Sequence, residues 1–140
     1  MYLLDTDHLS LLQRGGAEAE RLLARLANAG SSEIAVTIIS YEEQTRGWFS
    51  YLARARSLEA QVKAYQLLKK HLANYCTIPV IDFDSEAAEI FARLQHARLR
   101  IGTMDLKIAA IALAHEATLL TRNRNDFERI AGLKIDDWTV

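Results

Sequence analysis

The sequence has 140 residues, of which 50% are apolar and 25% are charged, and its formal net charge is −1 at pH 7. This is the composition of a folded globular protein, and the length predicts one domain over residues 1–140 with a single hydrophobic core. The near-zero charge excludes a surface that is basic throughout, so any contact with nucleic acid requires a local cluster of cations.

The predicted elements alternate between short strands and helices. An apolar strand at Tyr2–Leu4 comes first, followed by a short helix at 9–14. Further strands are predicted at 33–37, 77–81, 118–121 and 134–138, and further helices at 17–28, 40–55, 57–74, 84–100, 103–117 and 126–130. Pro79 favours an edge or terminal position for its strand, and the helix at 103–117 is apolar on all sides and should be buried. The alternation predicts an α/β sandwich with a largely parallel sheet.

Four acidic residues are candidates for a site at one edge of this sheet. Asp5 directly follows the first strand, Glu43 lies one turn into the helix after the second, and Asp126 follows the strand at 118–121. Ligands of open parallel sheets bind outside the carboxyl ends of the strands, so these three acids should fall at the same edge. Asp105 begins the buried helix and joins them only if the fold brings it there.

Each acid also has a purely structural interpretation. Residues 40–43 have the Ser-x-x-Glu spacing of a capping box, and Asp105 could complement the dipole of its helix. Asp126 could likewise complement the dipole of its own short helix from the first turn. Asp7 is the predicted N-cap of the first helix, which leaves Asp5 without a structural role.

A cluster of carboxylates indicates a bound cation. Each close pair of like charges costs roughly a few kcal/mol at an effective dielectric near 20, so a fold would not assemble the cluster unaided. Oxygen ligands without a set of histidines and cysteines suit Mg²⁺ or Mn²⁺. Such an ion can activate water and stabilise charge on a phosphodiester, which predicts phosphoryl transfer or hydrolysis.

Four segments, in order, carry a resemblance to a known family. They are LLDTDHLS (3–10), IAVTIISYEEQTRGW (34–48), IGTMDLKIAAIA (101–112) and LLTRNRNDFERIAGLKIDDW (119–138). Together they resemble the PIN-domain ribonucleases, and in particular the VapC-type toxins of bacterial and archaeal toxin–antitoxin pairs. The resemblance implies a three-layer α/β/α sandwich with four to five mainly parallel strands. It also implies a homodimer, an antitoxin partner, and cleavage of RNA such as tRNA, rRNA or mRNA.

The resemblance also implies roles for residues at the site. Asp5 and Asp105 would be the main ligands of Mg²⁺ or Mn²⁺, partly through water, and Glu43 would hold a water molecule or act as general base. Thr6 would offer its hydroxyl or N–H to the scissile phosphate, unless it only caps its helix. Attack by water in line with the scissile bond would leave 5′-phosphate and 3′-hydroxyl ends.

The chain departs from the family pattern at two positions. Many members carry a fourth acid two residues after the residue that matches Thr121, and this chain has Asn123 there. Either Asp126 replaces that acid and supports a second metal, or Thr121 and Asn123 orient water. Gln44 also departs from the pattern, because an apolar residue is usual there, and this leaves open whether Glu42 or Glu43 is the site residue. Glu43 is chosen because it shares a helix face with Ile39 and Gly47.

RNA binding would require a basic rim around the acids. The main candidates are Arg46, Arg98, Arg100 and Arg122, and further candidates are Arg14, Arg93 and Arg124. Each of them could equally be a solvated helix residue. His8 is interpreted as a satisfied, partly buried histidine, and the apolar stretch 41–52 as a dimer or antitoxin contact.

Two other functions remain open. A receiver-type phosphoacceptor domain also has an acidic Mg²⁺ pocket, with Asp82 or Asp84 as the acceptor, but that class requires a lysine in the loop after a late strand and none lies close behind the strand at 118–121. A housekeeping PIN nuclease without an antitoxin is the other alternative.

The cysteine count and the hydropathy bear on the compartment. Cys76 is the only cysteine, which excludes an intramolecular disulfide and fits a reducing interior. No signal-like start or apolar run of about 18 residues is present, so we expect a soluble cytoplasmic protein that does not enter a membrane.

Overall fold

The computed structural model describes residues 1–30 and 33–140, and in these residues a parallel five-stranded sheet separates two layers of helices. The strands are β1 (Tyr2–Leu4), β2 (Ile34–Thr37), β3 (Val80–Ile81), β4 (Thr118–Leu120) and β5 (Lys134–Asp136). The helices are α1 (Thr6–Arg14), α2 (Ala17–Ala29), α3 (Ile38–Arg54), α4 (Leu58–Tyr75), α5 (Ser85–His96), α6 (Thr103–Ala114) and α7 (Arg124–Phe127). The strand order is β3-β2-β1-β4-β5 and all neighbours are parallel, which confirms the predicted α/β sandwich.

The central strands supply side chains to two cores because neighbouring residues of a strand point to opposite faces. Leu3 and Leu119 pack in the core that contains α6, whereas Leu4 and Leu120 pack against the residues of α1 and α2. All four leucines are fully buried, and each contributes about 1.5–3 kcal/mol of hydrophobic stabilisation. A strand buried on both faces explains why β1 is apolar throughout.

Helix α6 carries its first turn to the functional edge of the sheet. The segment from Ile108 to Ala112 is fully buried, as its apolar sequence predicts. Because α6 leads into the parallel strand β4, its N-terminus must lie at the edge where the strands end. The fold therefore brings Asp105 to the same edge as Asp5.

Most elements differ from the predicted bounds by a few residues, and for two of them the difference has a local reason. Helix α5 ends at His96 rather than at residue 100, because Arg98 and Arg100 have φ values of 52° and 58°, which a right-handed helix excludes. Strand β3 has only two residues and lies at the edge of the sheet, as Pro79 predicts. None of the helices in the described chain combines the length and the apolar content that crossing a membrane requires.

Candidate active site

Four carboxylates line a cavity of about 310 Å³ at the carboxyl edge of the sheet. The cavity lies beside β1, where the strand order reverses, and this is the position at which open parallel sheets bind ligands. Its lining residues are Asp5, Thr6, Asp7, Ser10, Glu43, Asp105, Asn123 and Phe127. No lysine or arginine among the described residues lines it, and of its four acids only Asp7 is paired with an arginine, Arg122. Asp5, Glu43 and Asp105 have no lysine or arginine in the described chain to neutralise them.

Asp5 has both a structural contact and a place in the cavity. Its Oδ1 accepts a hydrogen bond of 2.7 Å from the backbone N–H of His8, which makes Asp5 the N-cap of α1. The prediction that Asp7 caps this helix is wrong. The backbone N–H of Asp5 still donates to Leu120 at 3.0 Å, so Asp5 is the last extended residue before the helix. Asp7 instead accepts hydrogen bonds from Arg122.

Glu43 is held in the cavity by a residue of another helix. The Thr6 hydroxyl donates to Glu43 Oε1 at 2.6 Å and also lies 3.0 Å from the Ser40 hydroxyl. The capping-box interpretation of residues 40–43 is wrong, because α3 begins two residues earlier and Thr37 caps it by accepting from the Ser40 N–H. Glu42 makes an exposed contact of 2.6 Å with Arg46, so Glu43 is the glutamate that faces the cavity.

Repulsion among the acids of the cavity has its largest effect on the pKa of Asp105. Burial, followed by repulsion from Glu43, Asp5 and Asp126, raises the pKa of Asp105 from 3.8 to about 6. Each of these effects disfavours the charged carboxylate. The cavity therefore concentrates negative charge that a bound cation would neutralise.

Asp126 lies behind the cavity rather than in its lining. Its Oδ2 accepts from the Asn123 amide at 3.0 Å, and its Oδ1 accepts from Arg129 at 2.7 Å. These two hydrogen bonds hold the pKa of Asp126 below its usual value. Asn123 itself lines the cavity, and buried Thr121 fixes it by accepting a 2.9 Å hydrogen bond from its backbone N–H. Asp126 and the pair Thr121 and Asn123 are the two alternatives for the fourth acid of the family pattern, and hydrogen bonds join all three residues.

The donor set of the cavity fits a hard divalent ion that retains water ligands. Over residues 1–30 and 33–140, no three His, Cys, Asp or Glu side chains are arranged to hold a metal ion directly. Mg²⁺ prefers one or two carboxylates together with several waters, and the side chains offered here are oxygen donors. Asp5 and Asp105 are the residues that would bind such an ion.

The candidate arginines fall into two groups. Arg122 contacts Asp7 and Glu18, Arg124 lies near Glu128 and Asp136, and Arg46 pairs with Glu42. In contrast, Arg98 and Arg100 are exposed and make no ion pair with a described residue, and the same holds for Arg14 and Arg93. Arg14 lines a separate cavity of about 730 Å³ between α1, α3 and α4, whose lining residues include no carboxylate.

Two polar residues have structural roles that the sequence did not indicate. Gln44 donates to Ser10 at 3.0 Å and to Gln13 at 3.1 Å, and it accepts from the Tyr75 hydroxyl at 2.8 Å. It thereby connects α1, α3 and α4, which accounts for a polar residue at this position. His8 is fully buried and its Nδ1 has no hydrogen-bond partner in the described chain, so its interpretation as a satisfied, partly buried histidine is wrong.

The sequence is similar to characterised nucleases along its length. A family model described as "PIN domain" matches residues 2–133. "Ribonuclease VapC1" of Haemophilus influenzae is 28% identical and the alignment covers 99% of this chain and 98% of the relative. "tRNA(fMet)-specific endonuclease VapC" of Salmonella typhimurium is 30% identical over 79% of this chain and 80% of the relative.

The fold is similar to that of toxin–antitoxin proteins. A chain of DNA-bound VapBC from Salmonella typhimurium aligns with a TM-score of 0.74 at 24% identity, covering 98% of this chain and 97% of that one. A toxin–antitoxin complex from Klebsiella pneumoniae gives a TM-score of 0.70 at 25% identity, with 99% and 98% of the two chains covered. Both likenesses extend over nearly the whole fold.

Proposed function

Because the chain belongs to the PIN-domain family, among the VapC ribonucleases, we propose that it is the Mg²⁺-dependent endoribonuclease toxin of a toxin–antitoxin pair. The observation that carries the proposal is the cavity in which Asp5, Glu43 and Asp105 meet without a neutralising side chain. The receiver-type alternative has no comparable support. Its candidate acceptors Asp82 and Asp84 follow the edge strand β3, and Asp84 caps α5.

The roles of the residues follow from their contacts. Asp5 and Asp105 would hold Mg²⁺, or Mn²⁺ in its place, and the ion would activate water and stabilise charge on the phosphodiester. Thr6 donates to Glu43 Oε1, which leaves Oε2 to take a proton from the attacking water. The backbone N–H groups at the start of α1 would help to bind the scissile phosphate.

Asn123 and Asp126 complete the proposed site as a pair. Asn123 lines the cavity and would orient water or phosphate through its side chain, while Asp126 fixes that side chain by accepting its amide N–H. In this arrangement Asp126 acts mainly through Asn123. Its charge also adds to the negative potential that favours a cation, because it contributes to the raised pKa of Asp105.

Cleavage should depend on a divalent ion. Purified protein with Mg²⁺ is expected to cut RNA within the chain and to leave 5′-phosphate and 3′-hydroxyl ends, and excess EDTA should abolish the cleavage. Denaturing gels and mapping of the RNA ends provide the measurement. Full activity in EDTA would contradict the proposed mechanism, and restoration by added Mg²⁺ or Mn²⁺ serves as the control for reversibility.

RNA contact should come from the turn after α5. Arg98 and Arg100 are exposed, lie next to the start of α6, and have no acidic partner in the described residues. Reversing both charges with Arg98→Glu and Arg100→Glu should weaken RNA binding and lower the slope of log K against log[salt] by about 1–2, since each phosphate contact contributes about 0.7 for single strands. Fluorescence anisotropy at several salt concentrations measures both quantities. The matched control is the double variant Arg56→Glu with Lys134→Glu, which changes the total charge equally at two exposed residues that are not candidates for RNA contact. Equal slopes for the unsubstituted protein and both double variants would rule out the contact by Arg98 and Arg100.

We expect an antitoxin partner and a homodimer. The antitoxin is proposed because the similar structures are toxin–antitoxin complexes, and co-purification with the product of an adjacent small gene would separate a toxin from a housekeeping nuclease. We expect the protein to bind RNA and the antitoxin in the cytoplasm, where its single cysteine stays reduced. One PIN domain over residues 1–140 would carry all of these contacts.

The dimer contact is expected on α3 and α4, because both helices expose large apolar side chains to solvent. Within the predicted stretch 41–52, Tyr41 and Trp48 pack against His71, whereas Phe49 is 55% exposed and Tyr51 37%. On α4, Leu58 is 80% exposed, Val62 59% and Tyr65 58%. Large apolar side chains exposed in such number are typical of an interaction surface. Light scattering at micromolar concentration should give the mass of a dimer, and Leu58→Asp with Val62→Asp should give a monomer. A monomeric unsubstituted chain would contradict the dimer.

A further inference from the structure

His8 lies beneath the acidic cavity and contacts both Asp5 and the C-terminal segment. Its side chain is fully buried. Nδ1 is 3.5 Å from Asp5 Oδ1, and on the other side of the ring Nε2 is 3.6 Å from Asp137 Oδ1 and receives the backbone N–H of Trp138 at 3.4 Å. A buried polar atom without a hydrogen bond costs about 1–3 kcal/mol, so the open position at Nδ1 requires an explanation.

The contact with Trp138 determines where the ring hydrogen lies. A nitrogen that accepts the backbone N–H of Trp138 must present a lone pair, so in the neutral imidazole the hydrogen is on Nδ1. Asp5 Oδ1 lies 3.5 Å from that nitrogen, just beyond ordinary hydrogen-bond distance. A shift of a few tenths of an ångström would convert the 3.5 Å approach into an ordinary hydrogen bond.

The two oxygens of Asp5 then have different roles. Oδ1 already accepts the backbone N–H of His8 at 2.7 Å, and it is also the oxygen nearest to the imidazole. Oδ2 has no hydrogen-bond partner within residues 1–30 and 33–140, and the side chain lines the cavity. The inward oxygen is therefore fixed by the protein, and the outward oxygen is available to a cation.

We propose that His8 is a positioning residue, which holds Asp5 Oδ1 through Nδ1–H so that Oδ2 faces the metal site. The proposal rests on the proposed function, because it assumes that Asp5 binds the metal. Groups that hydrogen-bond to a metal ligand orient it, and their loss typically lowers metal affinity or activity by about 10–100-fold.

The C-terminal segment holds the ring in this orientation. Asp137 Oδ1 accepts from the N–H and the hydroxyl of Thr139, at 2.9 Å and 2.6 Å, which fixes the segment that presents the Trp138 N–H. Trp138 and Thr139 are themselves buried. The acceptor for the Trp138 N–H accounts for Nε2 of the ring but not for the placement of Nδ1 beside Asp5.

Two amide variants, each of which matches one ring nitrogen of the histidine, separate positioning from packing. His8→Asn keeps an amide donor close to the position of Nδ1, whereas His8→Gln places its amide near the position of Nε2 and leaves Asp5 without the donor. Calorimetric titration with Mn²⁺ alone should give an affinity for His8→Asn close to that of the unsubstituted protein, and about 10–100-fold weaker binding for His8→Gln. Equal affinities for both variants, with circular dichroism showing that both are folded, would overturn the proposal.

The unsubstituted protein provides a test that does not depend on how the variants fold. Long-range ¹⁵N–¹H correlation spectra of the imidazole distinguish its two tautomers, and the Nδ1–H form is expected for His8. Detection of the Nε2–H form would overturn the proposal. A protein that binds Mn²⁺ and shows the Nδ1–H form but fails to cut RNA would contradict the proposed function and leave the role of His8 intact.

Discussion

Asp5→Asn is expected to lower RNA cleavage by about 10³-fold or more, and Asp105→Asn should have an effect of the same size. Each change removes a charge from the oxygen set that would hold the cation, and a factor of 10³ corresponds to about 4 kcal/mol of transition-state stabilisation. The fold should survive both changes. Asparagine is as good an N-cap as aspartate, so Asp5→Asn keeps the hydrogen bond to the backbone N–H of His8.

The matched control for this experiment is Asp7→Asn. Asp7 lines the same cavity and belongs to the same helix as Thr6, but its carboxylate is engaged by Arg122. Initial rates on one RNA substrate at saturating Mg²⁺ should therefore change by less than about tenfold for Asp7→Asn, a size typical of exposed ion pairs. Cleavage by Asp5→Asn or Asp105→Asn at the rate of the unsubstituted protein would show that the acids are structural only.

Asp105→Asn should also make the metal-free protein more stable at neutral pH. The folded protein binds the Asp105 proton up to about pH 6, whereas an unfolded chain releases it near the ordinary value of 3.8. Stability is therefore lost as the pH rises from about 4 to about 6 and stays lower above that range. The full difference between these pKa values corresponds to about 3 kcal/mol, and partial exposure to solvent reduces the expected effect to about 1–2 kcal/mol.

Urea unfolding in EDTA at several pH values measures this effect. The free energy of unfolding should be equal for Asp105→Asn and the unsubstituted protein near pH 3.5, and higher for the variant at pH 7.5. Added Mg²⁺ should raise the stability of the unsubstituted protein in proportion to the logarithm of its concentration above Kd, and should affect the variant less. A variant that is less stable at pH 7.5 would mean that the Asp105 carboxylate makes a stabilising contact.

The sequence predicted the position of the site because parallel topology determines where strands end. Asp5 follows a strand that is apolar throughout, and Glu43 lies one turn into the next long helix, so both are placed by strand order alone. The position of Asp105 could be inferred only from the fold, because the connection of α6 to a parallel strand places the first turn of that helix at the same edge.

The details of the site depend on contacts between residues far apart in the sequence. Arg122 pairs with Asp7 across 115 positions, which no local pattern indicates. The choice of Asp7 as N-cap failed because local preference alone cannot distinguish two acids when the ladder between β1 and β4 extends one residue further. The open Nδ1 of His8 likewise depends on Trp138, which is 130 positions away.

Asp5 caps α1 and is also the proposed metal ligand, and this combination has a consequence for mutation. Alanine at this position would remove both functions and damage the start of α1, whereas asparagine retains the cap and removes only the charge. Both aspartate codons become asparagine codons by a single G-to-A transition. A folded but harmless form of the protein is therefore one nucleotide change away, and cells that escape the toxin should carry this change more often than they carry alanine at Asp5.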